Sequence, residues 1–142
     1  MEIYKLLTVT DRVLNAFTSL IPQLSSSCAL PTKKNLEDIV NSNNTVLIIA
    51  EENNEILGTL TLVFNLIPTG HKVWIEDVVV NSSARGKGVG EKLVQFAIDY
   101  AADKNIDKIN LTSSPERVAA NKLYQKLGFE SRETNVYRLT MI

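Results

Sequence analysis

Short apolar runs and apolar residues at helical spacing alternate along the chain and predict its strands and helices. Period-2 or continuous apolar runs predict strands over residues 1–9, 45–50, 56–65, 73–80 and 108–112, with the second and third joined as a hairpin across residues 51–55. Helical stripes predict helices near residues 11–24, 32–40, 89–104 and 120–127. Two further strands are expected near residues 129–132 and 136–141. The order βααβββαβαββ predicts an α/β fold, one mixed sheet with helices on both faces.

Polar residues and glycine mark where these helices begin and end. Thr10 or Asp11 is suited to cap the first helix, and Thr32 or Asn35 to start the second. Gly128 follows the last apolar helical position, where a left-handed residue commonly ends a helix. At 142 residues the chain is long enough for one core, and we expect a single domain over residues 1–142.

The most informative stretch is residues 73–90, VWIEDVVVNSSARGKGVG. An apolar run predicts a strand buried on both faces, although Glu76 and Asp77 lie inside it. A glycine-rich turn follows, and a helical pattern starts directly after it. Backbone N–H groups at a helix N-terminus attract anions, and Arg85 and Lys87 add positive charge. The sequence therefore predicts a phosphate or pyrophosphate site at this turn.

Two common phosphate-binding motifs do not match this turn. A dinucleotide fingerprint starting at Gly86 would place its last glycine at Glu91, whose carboxylate would repel a pyrophosphate. A Walker loop needs Ser or Thr after its lysine, but Gly88 follows Lys87. A solvated turn with two surface cations is the alternative to a phosphate site.

Charge and composition exclude several classes of partner. The formal net charge is −1, and charged residues make up 22% of the chain, which argues against binding nucleic acid through a basic surface. No apolar run approaches the length of a membrane span, and the N-terminal residues lack a signal-peptide core. The single Cys28 in a loop-like stretch favours a reducing, cytoplasmic setting. One histidine, His71, and no cysteine cluster argue against a zinc site, so no metal is expected.

Two motifs carry a resemblance to a known family. Arg85, Gly88 and Gly90 match R/Q-x-x-G-x-G/A after a strand. A later helix matches A-x-x-L-Y-x-x-x-G-F at Ala120, Leu123, Tyr124, Gly128 and Phe129. In this order and spacing, the chain resembles the GNAT superfamily of acyl-CoA-dependent N-acyltransferases over its whole length. The strand IEDVVV with RGKG also resembles glucosamine-phosphate N-acetyltransferases.

The resemblance implies acetyl-CoA as cosubstrate, with its pyrophosphate on the turn amides and its pantetheine paired with the open edge of the central strand. That arrangement requires the fourth and fifth strands to splay apart. Many members carry Asn where Arg117 stands, and Asn121 lies one turn nearer to Tyr124 as a substitute. Ser82 and Ser83 replace the proline common before the turn. The implied cofactor-binding residues are Val78, Val79, Val80, Arg85, Gly86, Lys87, Gly88, Val89, Gly90, Asn121 and Tyr124.

The resemblance also implies direct attack of an amine on the thioester. Tyr124, protonated at neutral pH, would donate a proton to the leaving thiolate. Glu76 or Asp77 would accept the amine proton; adjacent strand residues face opposite sides, so we expect one of them in the cleft and favour Glu76. A backbone N–H near Val78 would stabilise the oxyanion.

The predicted function is acetyl transfer to a primary amine of a small molecule. Acetylation of protein N-termini or lysines is the alternative reaction, and an inactive acyl-CoA-binding module is the alternative from another class. Lys33 and Lys34 are candidates for attracting an anionic substrate or are simply solvated. The family often dimerises, so the resemblance is compatible with a homodimer and leaves the oligomeric state open.

Overall fold

The computed structural model describes residues 1–142, which divide into two compact units, residues 1–112 and residues 113–142. The first unit contains a five-stranded sheet in the order β1-β2-β3-β4-β5. Its strands are β1 (Glu2–Lys5), β2 (Thr45–Glu52), β3 (Glu55–Ile67), β4 (Gly70–Val80) and β5 (Ile109–Asn110). Its helices are α1 (Asp11–Leu24), α2 (Lys33–Val40) and α3 (Val89–Asp103), with a 3₁₀ turn at Ser82–Ala84.

The sheet is mixed, and helices cover both of its faces. Strands β1 to β4 are antiparallel neighbours, whereas β5 runs parallel to β4. On one face Leu47, Ile49 and Val79 share a core with residues of α1 and α2. On the other face Leu93 of α3 lies over Gly58 of β3. The predicted α/β architecture with helices on both faces is therefore confirmed.

The starts of the first two helices follow their capping residues. The Thr10 hydroxyl accepts a hydrogen bond from the Val13 N–H at 3.3 Å. Thr32 and Asn35 form a reciprocal capping box, with distances of 3.1 and 2.9 Å. Each cap satisfies N–H groups that the first helical turn leaves without partners. Thr10 and Thr32 are thus the N-caps among the predicted alternatives.

Several strand boundaries differ from the prediction. β1 ends at Lys5, although Leu6 and Val9 beyond it are buried. β3 extends to Ile67 and β4 starts at Gly70, so the two strands form a hairpin whose turn is Pro68 and Thr69. His71 consequently lies in β4, opposite Leu66. β5 pairs through two residues only and is shorter than the predicted 108–112.

A β-bulge interrupts the second half of β4. Glu76 pairs with Thr61, and Val79 pairs with Thr59. The three residue steps from Glu76 to Val79 in β4 therefore lie opposite the two steps from Thr61 to Thr59 in β3. One residue of β4 is therefore extra, and Asp77 adopts a left-handed φ of 50°. The bulge resets the alternation of side chains and places Val79 in the core beneath α1.

The expectation that residues 73–80 are buried on both faces is wrong. Val73, Ile75 and Val79 are buried, but Glu76 and Asp77 are exposed and Val78 and Val80 are half-buried. The exposed Glu76 and Asp77 interrupt the apolar run at the bulge.

The second unit contains α4 (Val118–Lys126), which ends as predicted. Gly128 has a φ of 100°, its N–H donates to the Gln125 carbonyl, and the Phe129 N–H donates to the Tyr124 carbonyl at 2.9 Å. These two bonds define a Schellman motif. The rings of Tyr124 and Phe129 meet at 5.9 Å, so Phe129 folds back on the helix.

The two strands predicted after α4 are wrong, because residues 129–142 form no strand. Their alternating apolar residues are exposed, with Val136 at 76%, Tyr137 at 87% and Leu139 at 85%. An isolated two-stranded hairpin is marginally stable in water. Without burial of these side chains, nothing offsets the conformational entropy lost on ordering the segment.

Candidate active site

The edge of β4 that faces β5 is open along its second half. Pairing between the two strands is confined to Val73 with Ile109 and Trp74 with Asn110. Beyond Trp74, β4 continues to Val80 while hydrogen-bonding β3 on its other side. The predicted separation of the fourth and fifth strands is confirmed, and it leaves the backbone at Val78 to Val80 without a strand partner on that edge.

The turn after β4 contains two glycines in the left-handed region. Gly86 has a φ of 82° and Gly88 a φ of 78°, which favours glycine over residues with a Cβ. A Cβ built on either glycine would meet no atom of the chain within 4 Å. Packing within the protein therefore does not require glycine here, and the space beside the turn is open to a ligand.

The turn also presents backbone donors and positive charge. Gly88 is the N-cap of α3, and the first backbone hydrogen bond of this helix runs from the Lys92 N–H to the Gly88 carbonyl at 3.1 Å. The N–H groups of Val89 and Gly90 consequently have no acceptor within the helix. Arg85 and Lys87 are exposed beside them. This combination suits a phosphate group.

The two carboxylates of the central strand have different positions. Glu76 lies on the sheet face that Trp74 and Thr61 share, as the β3–β4 register requires, whereas Asp77 lies in the bulge. Partial burial raises the pKa of Glu76, and the negative charge of Asp77 raises that pKa further. Both side chains are exposed, so neither carboxylate is a buried charge.

Tyr124 lies in the second unit and is 6% exposed. Burial raises the pKa of its hydroxyl, and the positive charge of Arg117 acts in the opposite direction. The phenol is therefore protonated at neutral pH. Asn121 is on the same helix, and its side-chain N–H donates to the Ser114 carbonyl at 3.0 Å, which commits one of its donors to the chain itself.

The predicted site residues fall into two groups. The first unit brings Glu76, Asp77, the open edge of β4 and the glycine turn together on one strand–turn–helix segment. The second unit holds Asn121 and Tyr124. No group of three or more His, Cys, Asp or Glu side chains is placed to hold a metal ion. No helix is both long enough and apolar enough to cross a membrane.

Two residues with a bearing on this site were not predicted. A Cβ on Gly58 would lie 2.8 Å from the Val79 carbonyl oxygen, so glycine permits β3 to approach the bulge closely. An isolated glycine within a strand pattern is a known signal for such an approach. The Gln23 side chain accepts a hydrogen bond from the Ser82 N–H at 2.8 Å. These residues are 59 positions apart, and no local pattern predicts the contact.

Residues 11–129 match the acetyltransferase (GNAT) family. This chain belongs to the GNAT family. A curated relative is the L-2,4-diaminobutyric acid acetyltransferase of Halalkalibacterium halodurans, which is 33% identical over 85 residues. That match covers 58% of this chain and 43% of the relative, so it spans less than half of the relative's length.

Solved acetyltransferases share the fold of this GNAT chain. An aminoglycoside acetyltransferase from an uncultured soil metagenomic sample superimposes with a TM-score of 0.85 at 18% identity, covering 99% of this chain and 95% of that one. Glucosamine-6-phosphate N-acetyltransferase from Arabidopsis thaliana superimposes with a TM-score of 0.79 at 25% identity, covering 97% of each chain. The predicted family is confirmed.

Proposed function

We propose that this chain is an acetyl-CoA-dependent N-acetyltransferase that acetylates a primary amine of a small molecule by direct attack. The observation that carries the proposal is the turn at Gly86 and Gly88, where left-handed glycines, open space and helix N-terminal amides coincide. A pyrophosphate fits this combination of donors and charge. The open edge at Val78 to Val80 suits an extended pantetheine arm, which would add to the sheet as a strand does.

The names of the relatives and the two carboxylates support a small amine as the acceptor. L-2,4-diaminobutyric acid and glucosamine 6-phosphate, which the names of two relatives contain, are both small molecules with an amino group. Glu76 and Asp77 supply negative charge that would attract a protonated amine. The face that Glu76 shares with the half-buried Trp74 is where we place the amine.

Glu76 is the proposed general base. Bound acetyl-CoA would supply the acetyl group as a thioester. Glu76 accepts a proton from the amine, directly or through water, as the nitrogen bonds to the thioester carbonyl carbon. The raised pKa of Glu76 makes its carboxylate a stronger base. A backbone N–H near Val78 stabilises the negative charge on the carbonyl oxygen.

Tyr124 is the proposed general acid. Its hydroxyl gives a proton to the sulfur as the carbon–sulfur bond breaks, and a proton from solvent restores the phenol. The burial that raises its pKa keeps the proton on the oxygen until the thiolate forms. Glu76 releases the amine proton to solvent, which completes the proton balance.

The remaining cofactor contacts are also part of the proposal. Arg85 and Lys87 are the cations beside the phosphates, with the amides of residues 86–90 as donors. Asn121, through the part of its amide not bonded to Ser114, is a further contact. We propose that residues 1–142 act as one acetyltransferase domain in the cytoplasm, where the exposed, unpaired Cys28 would stay reduced.

The test is thiol release from acetyl-CoA in the presence of a panel of amines: diamino acids, amino sugars, aminoglycosides, a peptide with a free N-terminus and a lysine peptide. We expect release with at least one small amine and none with the peptides. Release with the peptides alone would favour protein acetylation. CoA binding without release would favour an inactive binding module, and absence of CoA binding would refute the proposal.

A pair of glycine variants locates the cofactor. In Gly88→Asp the carboxylate would crowd and repel the phosphates, so CoA affinity should fall by roughly 10²-fold or more while the protein still folds. Gly70→Asp is the matched control, because Gly70 also has a positive φ, 134°, and open space around it, but lies at the other end of β4. Equal loss of affinity in both variants would contradict the assignment of the turn.

Tyr124→Phe tests the general acid. This change keeps the ring and its contact with Phe129 and removes only the hydroxyl. We expect kcat to fall by roughly 10²-fold with little change in the KM for acetyl-CoA, and the loss to shrink with a donor whose thiol is more acidic. A near-native kcat on the true substrate would remove Tyr124 from the mechanism.

A further inference from the structure

The segment that leads from β4 into the glycine turn is held by hydrogen bonds from several directions. The Asn81 N–H donates to the Leu57 carbonyl of β3 at 2.7 Å. The Asn81 side chain accepts from the Ser83 N–H at 3.2 Å, and its carbonyl accepts from the Ala84 N–H at 2.8 Å. The Ser82 N–H, in contrast, has its acceptor on a helix that packs against the sheet.

Gln23 of α1 supplies that acceptor. Its side-chain oxygen lies 2.8 Å from the Ser82 nitrogen, while its side-chain N–H₂ donates to the Ser19 carbonyl at 3.1 Å. The side-chain oxygen can only accept and the side-chain N–H₂ can only donate, so the two contacts are consistent with a single orientation of the amide. The side chain thus links the last turn of α1 to the first residue of the 3₁₀ turn.

The helix that carries Gln23 is firmly attached to the sheet. Val13, Phe17 and Leu20 are each at most 4% exposed in the core. At the other end of α1, Arg12 forms an ion pair with Glu51 of β2 at 3.0 Å. A side chain on such a rigid element can hold a neighbouring loop more precisely than a loop residue can.

We propose that Gln23 is a positioning residue for the cofactor turn, which it holds through the Ser82 N–H. Residues 82–84 continue directly into residues 85–90, so a shift at Ser82 moves the amides that would meet the phosphates. This inference rests on the proposed binding of acetyl-CoA at that turn. Gln23 touches neither the reacting atoms nor the cofactor, and its effect passes through Ser82.

Two variants remove opposite ends of the same hydrogen bond. Gln23→Met keeps the length of the side chain and helix propensity but removes the acceptor. Ser82→Pro removes the donor at the first position of a helical turn, where proline is tolerated. Asn81 before it has a ψ of 135°, which is compatible with a following proline. Gln95→Met is the control, because Gln95 is an exposed glutamine whose side chain bonds only Asp99 of its own helix.

Calorimetric titration with CoA, with the KM values for acetyl-CoA and for the amine beside it, tests the proposal. We expect Gln23→Met and Ser82→Pro each to raise the Kd for CoA by roughly three- to tenfold, which matches one hydrogen bond. The double variant should bind no more weakly than the weaker single variant, because both changes remove one bond. The KM for the amine, the thermal midpoint and Gln95→Met should stay near wild type.

The outcomes separate this inference from the proposed function. If the wild-type protein does not bind CoA, the proposed function fails first. If the wild type binds CoA and Gln23→Met or Ser82→Pro binds it equally well, the positioning role is refuted. Additive losses in the double variant would also refute it, since the two residues would then act by separate routes. Should Gln23→Met fold poorly, Ser82→Pro alone decides between these results.

Discussion

The two halves of β4 differ in their neighbours in the sheet and in their backbone structure. In the first half, Val73 and Trp74 pair with β3 on one side and with β5 on the other. In the second half β5 is absent, the register slips by one residue, and Asp77 takes a left-handed φ of 50°. The two carboxylates and the open strand edge are all in this second half.

This difference shows how one strand can both support the fold and present a site. A regular, doubly paired strand uses its N–H and C=O groups within the sheet, so it has none to offer a ligand. A bulge disrupts the ladder and redirects side chains, and bulges are common next to active sites. The first half therefore uses both of its edges within the sheet, while the second half keeps one edge open.

The largest expected effect is that of Glu76→Gln in the second half. If Glu76 is the base, kcat/KM should fall by roughly 10²-fold or more, and its rise with pH should flatten. CoA affinity should be retained. Lys72→Gln, an exposed charge removed from the first half, is the control and should leave all three quantities unchanged. An undiminished pH dependence in Glu76→Gln would show that the amine loses its proton elsewhere.

The next effect concerns stability and comes from the first half. Val73 is 0% exposed, so Val73→Ala removes two buried methyl groups and leaves a cavity. The free energy of unfolding should fall by roughly 2 kcal/mol, as urea denaturation would measure. Activity of the folded protein should be retained. A loss of kcat comparable to that of Glu76→Gln would mean that the two halves are not separable.

Gly58→Ala tests the strand opposite the bulge. The new Cβ would lie 2.8 Å from the Val79 carbonyl oxygen and 3.2 Å from the Leu93 side chain, so β3 or the bulge must shift. We expect a loss of roughly 1 to 2 kcal/mol in the free energy of unfolding, together with weaker CoA binding. Unchanged CoA affinity in a destabilised variant would limit Gly58 to packing.

The smallest expected effect is that of Asp77→Asn. Asparagine tolerates the left-handed region, so the bulge should persist. The charge of Asp77 raises the pKa of Glu76, and its removal lowers that pKa. Since the proposed mechanism requires Glu76 to be ionised to act as the base, the acidic limb of the pH profile of kcat/KM should move to lower pH. A collapse of activity in Asp77→Asn with normal activity in Glu76→Gln would reverse their roles.

Local signals explain most of what the sequence predicted correctly. Thr10, Thr32 and Gly128 act through contacts within a few residues, and the structure has each of them at a helix end. The glycine turn and the order of strand, turn and helix were likewise predictable from residues 73–90. The family followed from two such local motifs in the right order.

Long-range geometry accounts for what the sequence did not predict. The bulge at Asp77 depends on a register between two strands, and the bond from Ser82 to Gln23 joins residues 59 positions apart. The alternating residues near Val136 suggested a strand, but a strand needs a paired neighbour as well as a pattern. β-Propensity reports fit to such a neighbour more than a preference of the backbone.

The most direct test of the cofactor site is the amide spectrum of isotope-labelled protein during a titration with CoA. The account predicts that the largest shifts occur at residues 78–80 and 86–90, in the second half of β4 and the glycine turn. Amides of residues 70–74, in the first half, should keep their positions. Largest shifts in the first half of β4, or at a surface remote from the turn, would contradict the account.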